Sequence, residues 1–287
     1  MNGILLIDKP KDMTSRDVVN QASRLLKTKK IGHTGTLDPL ATGVLILTVN
    51  QATKIAELIT NYDKEYIAEV VLGLETDTLD ITGGVLKQEL TNISQAQIVK
   101  VMNKMVGEYN QEVPIYSAVK IKGKKLYEYA RNKETIILPK RTVAIKELEL
   151  ISAVSYENNT TIFTIRCLVS KGTYIRSLIK DIASNLNTIG TMKNLRRTKQ
   201  GIFKIEDCIN ISNIDYNKLI SIKDCLADYH QVVIDEELFN KIKHGQIIDN
   251  IYETIPVVFI YQNKAIAIYQ KYNEKQLKPW KMFWFFT

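Results

Sequence analysis

Short apolar runs that stop at acids, glycines or prolines alternate along this chain with longer stretches whose apolar residues recur at helical spacing. That interleaving restricts it to a mixed fold of strands and helices. The run at residues 4–7 ends at Asp8, Lys9 and Pro10, as a buried strand does on entering a loop. Thr14 or Ser15 can cap a following helix carrying Val18, Val19, Ala22, Leu25 and Leu26. A second buried strand is predicted at 44–47, and Tyr66, Ala68, Val70 and Leu72 alternate along a third. Ser94 and Gln97 form a capping-box pattern for a helix ending at Gly107, with Ile98, Val101, Met102 and Met105 as its core stripe. Strands are expected at 143–150 and 160–169. Thr173 can cap a helix bearing Ile175, Leu178, Ile179, Ile182, Ala183 and Leu186, with Arg176 at the edge of its buried face. Two strand-like runs at 255–261 and 265–269 suggest a hairpin in a small β-rich unit beginning near His230.

The net charge of +8 and the pI near 9.1 favour an anionic partner such as nucleic acid. The excess is concentrated between Gln111 and Arg141. There Lys120, Lys122, Lys124, Lys125, Arg131, Lys133, Lys140 and Arg141 are interleaved with Tyr116, Tyr127 and Tyr129. This mixture suits phosphate contact and base stacking, and equally a basic surface loop. Cys167, Cys208 and Cys225 are too few and too widely spaced for a disulfide framework or a zinc site, and are expected to be reduced thiols. The opening MNGILLIDKP reaches an acid and a proline too soon for a secretory signal. No stretch approaches the roughly 18 apolar residues of a membrane span. A cytoplasmic location is therefore expected.

Between Ile31 and Gly43 lies a loop rich in glycine and threonine. It lacks both the Gly-Lys-Ser/Thr ending and the Gly-x-Gly-x-x-Gly spacing of nucleotide-phosphate cradles. Asp38 is the only acid between Asp17 and Glu57, in a Leu-Asp-Pro step where proline stiffens the backbone. From residue types alone it reads first as a turn aspartate bonded to nearby amides.

The stretch GHTGTLDPLATGVL, residues 32–45, resembles the signature of the TruB family of pseudouridine synthases. The likeness continues in order through GILLIDKP, KEYIAEVVLGLETDTLDITG, YSAVKIKGKKLYEYAR, SKGTYIRSLIKDI and LRRTKQGIF, from residue 3 to about 203. The resemblance implies a pseudouridine synthase fold of class α+β: a mixed, mostly antiparallel central sheet flanked by helices, with a small C-terminal PUA-like unit. The expected division is a catalytic domain over 1–230, with an RNA-clasping insertion at about 111–141, and an RNA-binding unit over 231–287. The implied activity is isomerisation of a T-loop uridine of tRNA, at position 55, to pseudouridine.

On that resemblance Asp38 is the nucleophile, Arg176 its pairing arginine, and Tyr66 the tyrosine that stacks on the base. Breaking the C1′–N1 bond, turning the uracil and joining C1′ to C5 involves no redox change, so neither cofactor nor metal is expected. The uridine must leave its stack, at a cost of a few kcal/mol. His33 is implied as the ring that fills the gap. Leu195 and Tyr174 match pocket positions, and Lys9, Pro10 and Asp77 match pocket or loop-supporting ones. Lys120, Lys122, Lys124, Lys125, Tyr127 and Arg131 belong to the segment implied to close over the tRNA elbow. The partner implied is the T-arm and elbow of tRNA, bound by a monomer without protein partner or membrane. Two alternatives are a guide-RNA-dependent Cbf5-like synthase and a non-catalytic tRNA chaperone. The chain departs from the family pattern at Asp12, where many members have glycine, at Val113-Pro114 and at Asp181-Ile182-Ala183.

Overall fold

The two apolar runs nearest the N-terminus pair with each other. Strands Gly3–Lys9 and Thr42–Val49 are antiparallel, with Leu5 opposite Leu47 and Ile7 opposite Leu45. Leu5, Ile7, Leu45 and Leu47 face one core and Ile4, Leu6, Val44 and Ile46 another, so both faces are buried and the runs are continuously apolar. The structure, a computed structural model, describes residues 1–283; the last four positions of the expected C-terminal unit lie outside the described residues.

From this pair the central sheet extends through Gly190–Gln200, Lys64–Leu72, Thr160–Val169 and Lys140–Leu150 to Gly107–Glu112. Along this path only the contact of Gly190–Gln200 with Thr42–Val49 is parallel; the other pairings are antiparallel. This is the mixed, mostly antiparallel sheet that the family resemblance implies. Helices Ser15–Leu25, Gln95–Met105 and Ile175–Asn185 bury Val18, Ala22, Ile98, Met102, Leu178 and Ile182 against one face. Thr14 caps the first in a capping box with Asp17, and Ser94 caps the second with Gln97. The second helix stops at Met105, and Gly107, at φ 123°, opens the next strand.

The third helix corrects its expected cap. Tyr174 is the N-cap and its side chain makes no capping bond, while the Thr173 hydroxyl turns back to donate to the Ser170 carbonyl at 2.9 Å. Thr173 closes the preceding turn and is therefore not free to serve the helix.

On the other face a second sheet runs His230–Val233, Val257–Tyr261, Lys264–Lys271, Gln276–Met282, Ile248–Asp249. Its Val258, Ile260 and Ile268 pack on Ile4, Leu6, Val44 and Ile46, so the two sheets share a core. Its hairpin turns on Gln262 and Asn263, both at positive φ, as a two-residue turn requires. Farther along the same face of the central sheet, ion pairs replace apolar cover. Arg166 binds Glu65, Glu147 and Glu149, and Lys193 binds Glu69.

Candidate active site

The loop between Ile31–His33 and Thr42–Val49 is held from beneath by buried polar side chains. Arg197, on the central strand Gly190–Gln200, donates from Nε to the Val44 carbonyl at 2.6 Å and from Nη2 to that of Gly35 at 3.0 Å. The neighbouring Gln200 amide donates to the Thr34 hydroxyl and the Ile59 carbonyl, each at 3.0 Å. Ser15 Oγ accepts from Leu37 N at 2.9 Å and donates to its carbonyl at 3.2 Å. Gly43 sits at φ 99° with the Arg197 carbonyl 2.2 Å from where a Cβ would lie, so no other residue fits there.

Lys9 completes the cradle. Its ammonium is sealed from solvent and donates to the carbonyls of Met13 at 2.6 Å, Pro10 at 2.8 Å and Pro39 at 3.2 Å. Burial pulls its pKa down to about 8, against the pull of Asp12 and Asp38 the other way. All three protons are directed at backbone, so the structure makes Lys9 a support of the loop rather than a group facing ligand. Asp12, in the place where many family members have glycine, has φ 65°, a left-handed conformation that aspartate tolerates better than most residues.

Asp38 stands on this platform beside Arg176. Arg176 Nε lies 2.9 Å from Asp38 Oδ2, and Nη2 donates to Oδ1 at 3.2 Å. The arginine side chain is 6% exposed and that of Asp38 36%, so the guanidinium is sealed while the carboxylate opens to ligand. Two further guanidinium N–H groups are used: one on Nη1 by the Thr78 carbonyl at 2.9 Å and the second on Nη2 by that of Tyr116 at 3.0 Å. A second carboxylate, Asp80, brings Oδ2 to 4.0 Å from Arg176 Nε. Its Oδ1 accepts from the hydroxyls of Thr78 and Thr82 and from Thr82 N. Withdrawal from water pushes the Asp38 carboxyl above the usual aspartate range; Arg176 pulls it back, Asp80 pushes it up and Lys9 pulls it down, with burial prevailing.

The carboxylate faces a cleft of about 870 Å³, the size of a pocket for a small organic ligand. Tyr66, Tyr174 and Leu195 line it with Asp38 and Arg176, and Tyr116, Ser117, Ala118 and Tyr127 reach it from the basic insertion. Lys64, Arg141 and Lys171 also line it, Lys64 with its ammonium turned to the Thr60 and Tyr62 carbonyls. The structure thus brings Asp38, Tyr66, Tyr174, Arg176, Leu195 and Tyr127 together.

Other expected residues lie outside the lining. His33 ends its strand one position before Thr34, and its Nδ1 accepts from Gly35 N at 3.4 Å. Burial, with Arg16 and Arg197 nearby, lowers its pKa and favours a neutral ring. Pro10 is exposed and offers its carbonyl to Lys9. Asp77 accepts from Gly84 N at 2.8 Å and from the Tyr116 hydroxyl at 3.2 Å, tying the insertion to the neighbouring hairpin. Lys120 and Lys122 are exposed, Lys124 pairs with Glu134, Lys125 donates to the Tyr127 hydroxyl, and Arg131 lies over the Tyr127 ring. Among the described residues no group of His, Cys, Asp and Glu is placed to hold a metal ion, and no helix is long and apolar enough to cross a membrane.

Sequence reasoning missed Asp80, Arg197, Gln200, Ser15 and Lys64. Asp80 had a signal, since Thr78 and Thr82 flank it at two-residue spacing, the arrangement by which short hydroxyl side chains fix a carboxylate.

A carboxylate gripped by a sealed arginine, at the mouth of a cleft in a mixed sheet of this order, defines a pseudouridine synthase fold. Two solved structures share it, an H/ACA RNP bound to a substrate RNA containing 2′-deoxyuridine and a Cbf5-Nop10-Gar1 complex. Their TM-scores are 0.71 and 0.70 at 23% identity, over 98% of this chain and 85% and 84% of theirs. Residues 23–175 match the TruB family pseudouridylate synthase (N terminal domain), and the chain belongs to that family. It is 43% identical over 284 residues to tRNA pseudouridine synthase B of Mesoplasma florum, covering 96% of each. It is 38% identical over 298 residues to the protein of that name from Bacillus cytotoxicus, covering 98% of this chain and 97% of the relative.

Proposed function

We propose that this protein isomerises the T-loop uridine at position 55 of tRNA to pseudouridine, acting without a guide RNA and in the cytosol. The observation that carries the reading is the side-on contact of Arg176 with Asp38 at 2.9 and 3.2 Å, which leaves the carboxylate open to the cleft. Near-full-length relatives at 38–43% identity carry the tRNA enzyme's name, whereas the H/ACA RNP and Cbf5-Nop10-Gar1 structures match at 23%. That contrast favours free tRNA as substrate.

The uridine is drawn out of the T-loop, and His33, neutral and half-buried, stacks in the vacated place. In the cleft the uracil lies on Tyr66 with Leu195 and Tyr174 about it. Asp38, which the guanidinium favours in its ionised form, is the nucleophile: its carboxylate adds to the nucleotide, the C1′–N1 bond breaks with its electron pair on the uracil, and the bond to Asp38 breaks in turn by the time the product forms, returning the carboxylate. The freed uracil turns and C5 bonds to C1′. The C5 proton is then passed on through the Tyr66 hydroxyl, which takes it as it releases its own proton toward N1, so the hydroxyl is restored and atoms and charge balance. The chain divides functionally into a catalytic part over 1–230 and an RNA-binding unit over 231–287. The insertion at 111–141 covers the tRNA elbow with Lys120, Lys122, Lys124, Lys125 and Arg131.

The test is release of tritium from C5-labelled uridine in a T-arm minihelix with purified protein alone. Release without any other RNA is expected. No release, or release only after a guide RNA is added, overturns the proposal.

A further inference from the structure

The helix that carries Arg176 begins without a cap of its own. Tyr174 supplies no side-chain bond and Thr173 is turned away, yet the start of this helix must be rigid if the guanidinium two residues later is to meet Asp38 side-on. The missing bonds come from another part of the sheet. Gln111, on the edge strand Gly107–Glu112 and 1% exposed, accepts from Tyr174 N through Oε1 at 2.7 Å and donates from Nε2 to the Tyr174 carbonyl at 3.1 Å. One carboxamide thus grips both polar groups of a single residue, as a neighbouring peptide in a sheet does. Its other amide proton goes to the Tyr109 hydroxyl at 2.6 Å, which donates to Asp181 Oδ2 at 3.1 Å on the same helix. Every hydrogen-bonding group of Gln111 is used, and the opposite amide orientation would set NH₂ against the Tyr174 N–H.

The same strand holds the helix twice more, through the Glu112 carbonyl to Ser177 Oγ at 2.8 Å and the Glu112 carboxylate to Lys180 at 3.1 Å. It then runs directly into the basic insertion, whose Tyr116 carbonyl accepts from Arg176.

From this geometry we infer that Gln111 is a positioning residue for the reaction: it fixes Tyr174 in the cleft and the Arg176 guanidinium on Asp38, and joins the stem of the insertion to both. It touches no substrate. This rests on the function proposed above, with Asp38 as nucleophile.

Two variants test it. Gln111→Leu removes all of these bonds; Gln111→Glu keeps the acceptor for Tyr174 N and loses both donors. Both are assayed by single-turnover tritium release, affinity for tRNA and the pH profile of the rate. With Arg176 loosened, the rate constant should fall roughly 10- to 100-fold for Gln111→Leu and less for Gln111→Glu. Affinity should stay within about threefold, and the acid limb should move to higher pH in both. A fold-supporting role alone would lower the melting temperature and leave the acid limb in place. Should Gln111→Leu not fold, the conservative Gln111→Glu decides. A wild-type rate and an unmoved acid limb in a folded variant overturn the inference. Wild-type turnover together with a dead Asp38→Asn shows in the same assay that the function itself stands; inactive wild-type protein removes the function and the inference together.

Discussion

Arg176 meets Asp38 along one edge of the guanidinium, Nε on Oδ2 and Nη2 on Oδ1, with the arginine sealed and the acid open. A lysine cannot reproduce two parallel bonds to a carboxylate. Arg176→Lys should therefore cost about 10²- to 10³-fold in turnover with little change in tRNA affinity. Single-turnover rates beside filter-binding affinities measure both.

Burial raises the Asp38 carboxyl and Arg176 holds it down, so activity should disappear as pH falls through a value above the ordinary aspartate range. Arg176→Lys, which weakens the lowering contact, moves that limb to still higher pH. Asp80 acts with the opposite sign, since its negative charge pushes Asp38 up. Asp80→Asn removes that charge and should move the limb to lower pH. Limbs displaced in the same direction by the two variants would contradict the assignment.

The Lys9 ammonium holds three carbonyls of the loop and its approach. Lys9→Met leaves them without donors in a sealed place and should destabilise the fold by about 2–4 kcal/mol. Thermal melting reads this directly. In whatever fraction folds, turnover should fall more than affinity, because Pro39 is next to Asp38 in the chain.

Arg141 and Lys171 are exposed cations that line the cleft. As phosphate contacts they should act on binding alone. Arg141→Ala and Lys171→Ala should each raise KM several-fold at constant kcat and reduce the dependence of log Kd on log salt by about 0.7. An unchanged salt slope places them outside the RNA path.

Much of the frame was legible because its signals are local. Thr14 and Ser94 sit where the capping pattern puts them, the 160–169 run is a strand over that span, and the core stripe of Met102 packs as its spacing implies. The strand Gly190–Gln200 was not legible. It lies in the middle of the sheet, yet it carries Arg196, Arg197, Lys199 and Gln200, and two register shifts break its alternation. Of these, Arg197 and Gln200 are buried because they hold the Asp38 loop, a demand that comes from residues some 160 positions away in the chain. The same reason hid Gln111, whose partner Tyr174 lies on another element. Asp38 was recognisable only through the family motif, since a Leu-Asp-Pro step alone also describes an ordinary turn.

The most direct test of a nucleophilic Asp38 is single-turnover tritium release with Asp38→Asn under saturating enzyme, alongside its affinity for the same tRNA. The side chain keeps its shape and loses its charge. The account predicts a rate lowered by at least about 10³-fold with near-unchanged affinity; a rate within about tenfold of wild type, at unchanged affinity, contradicts it.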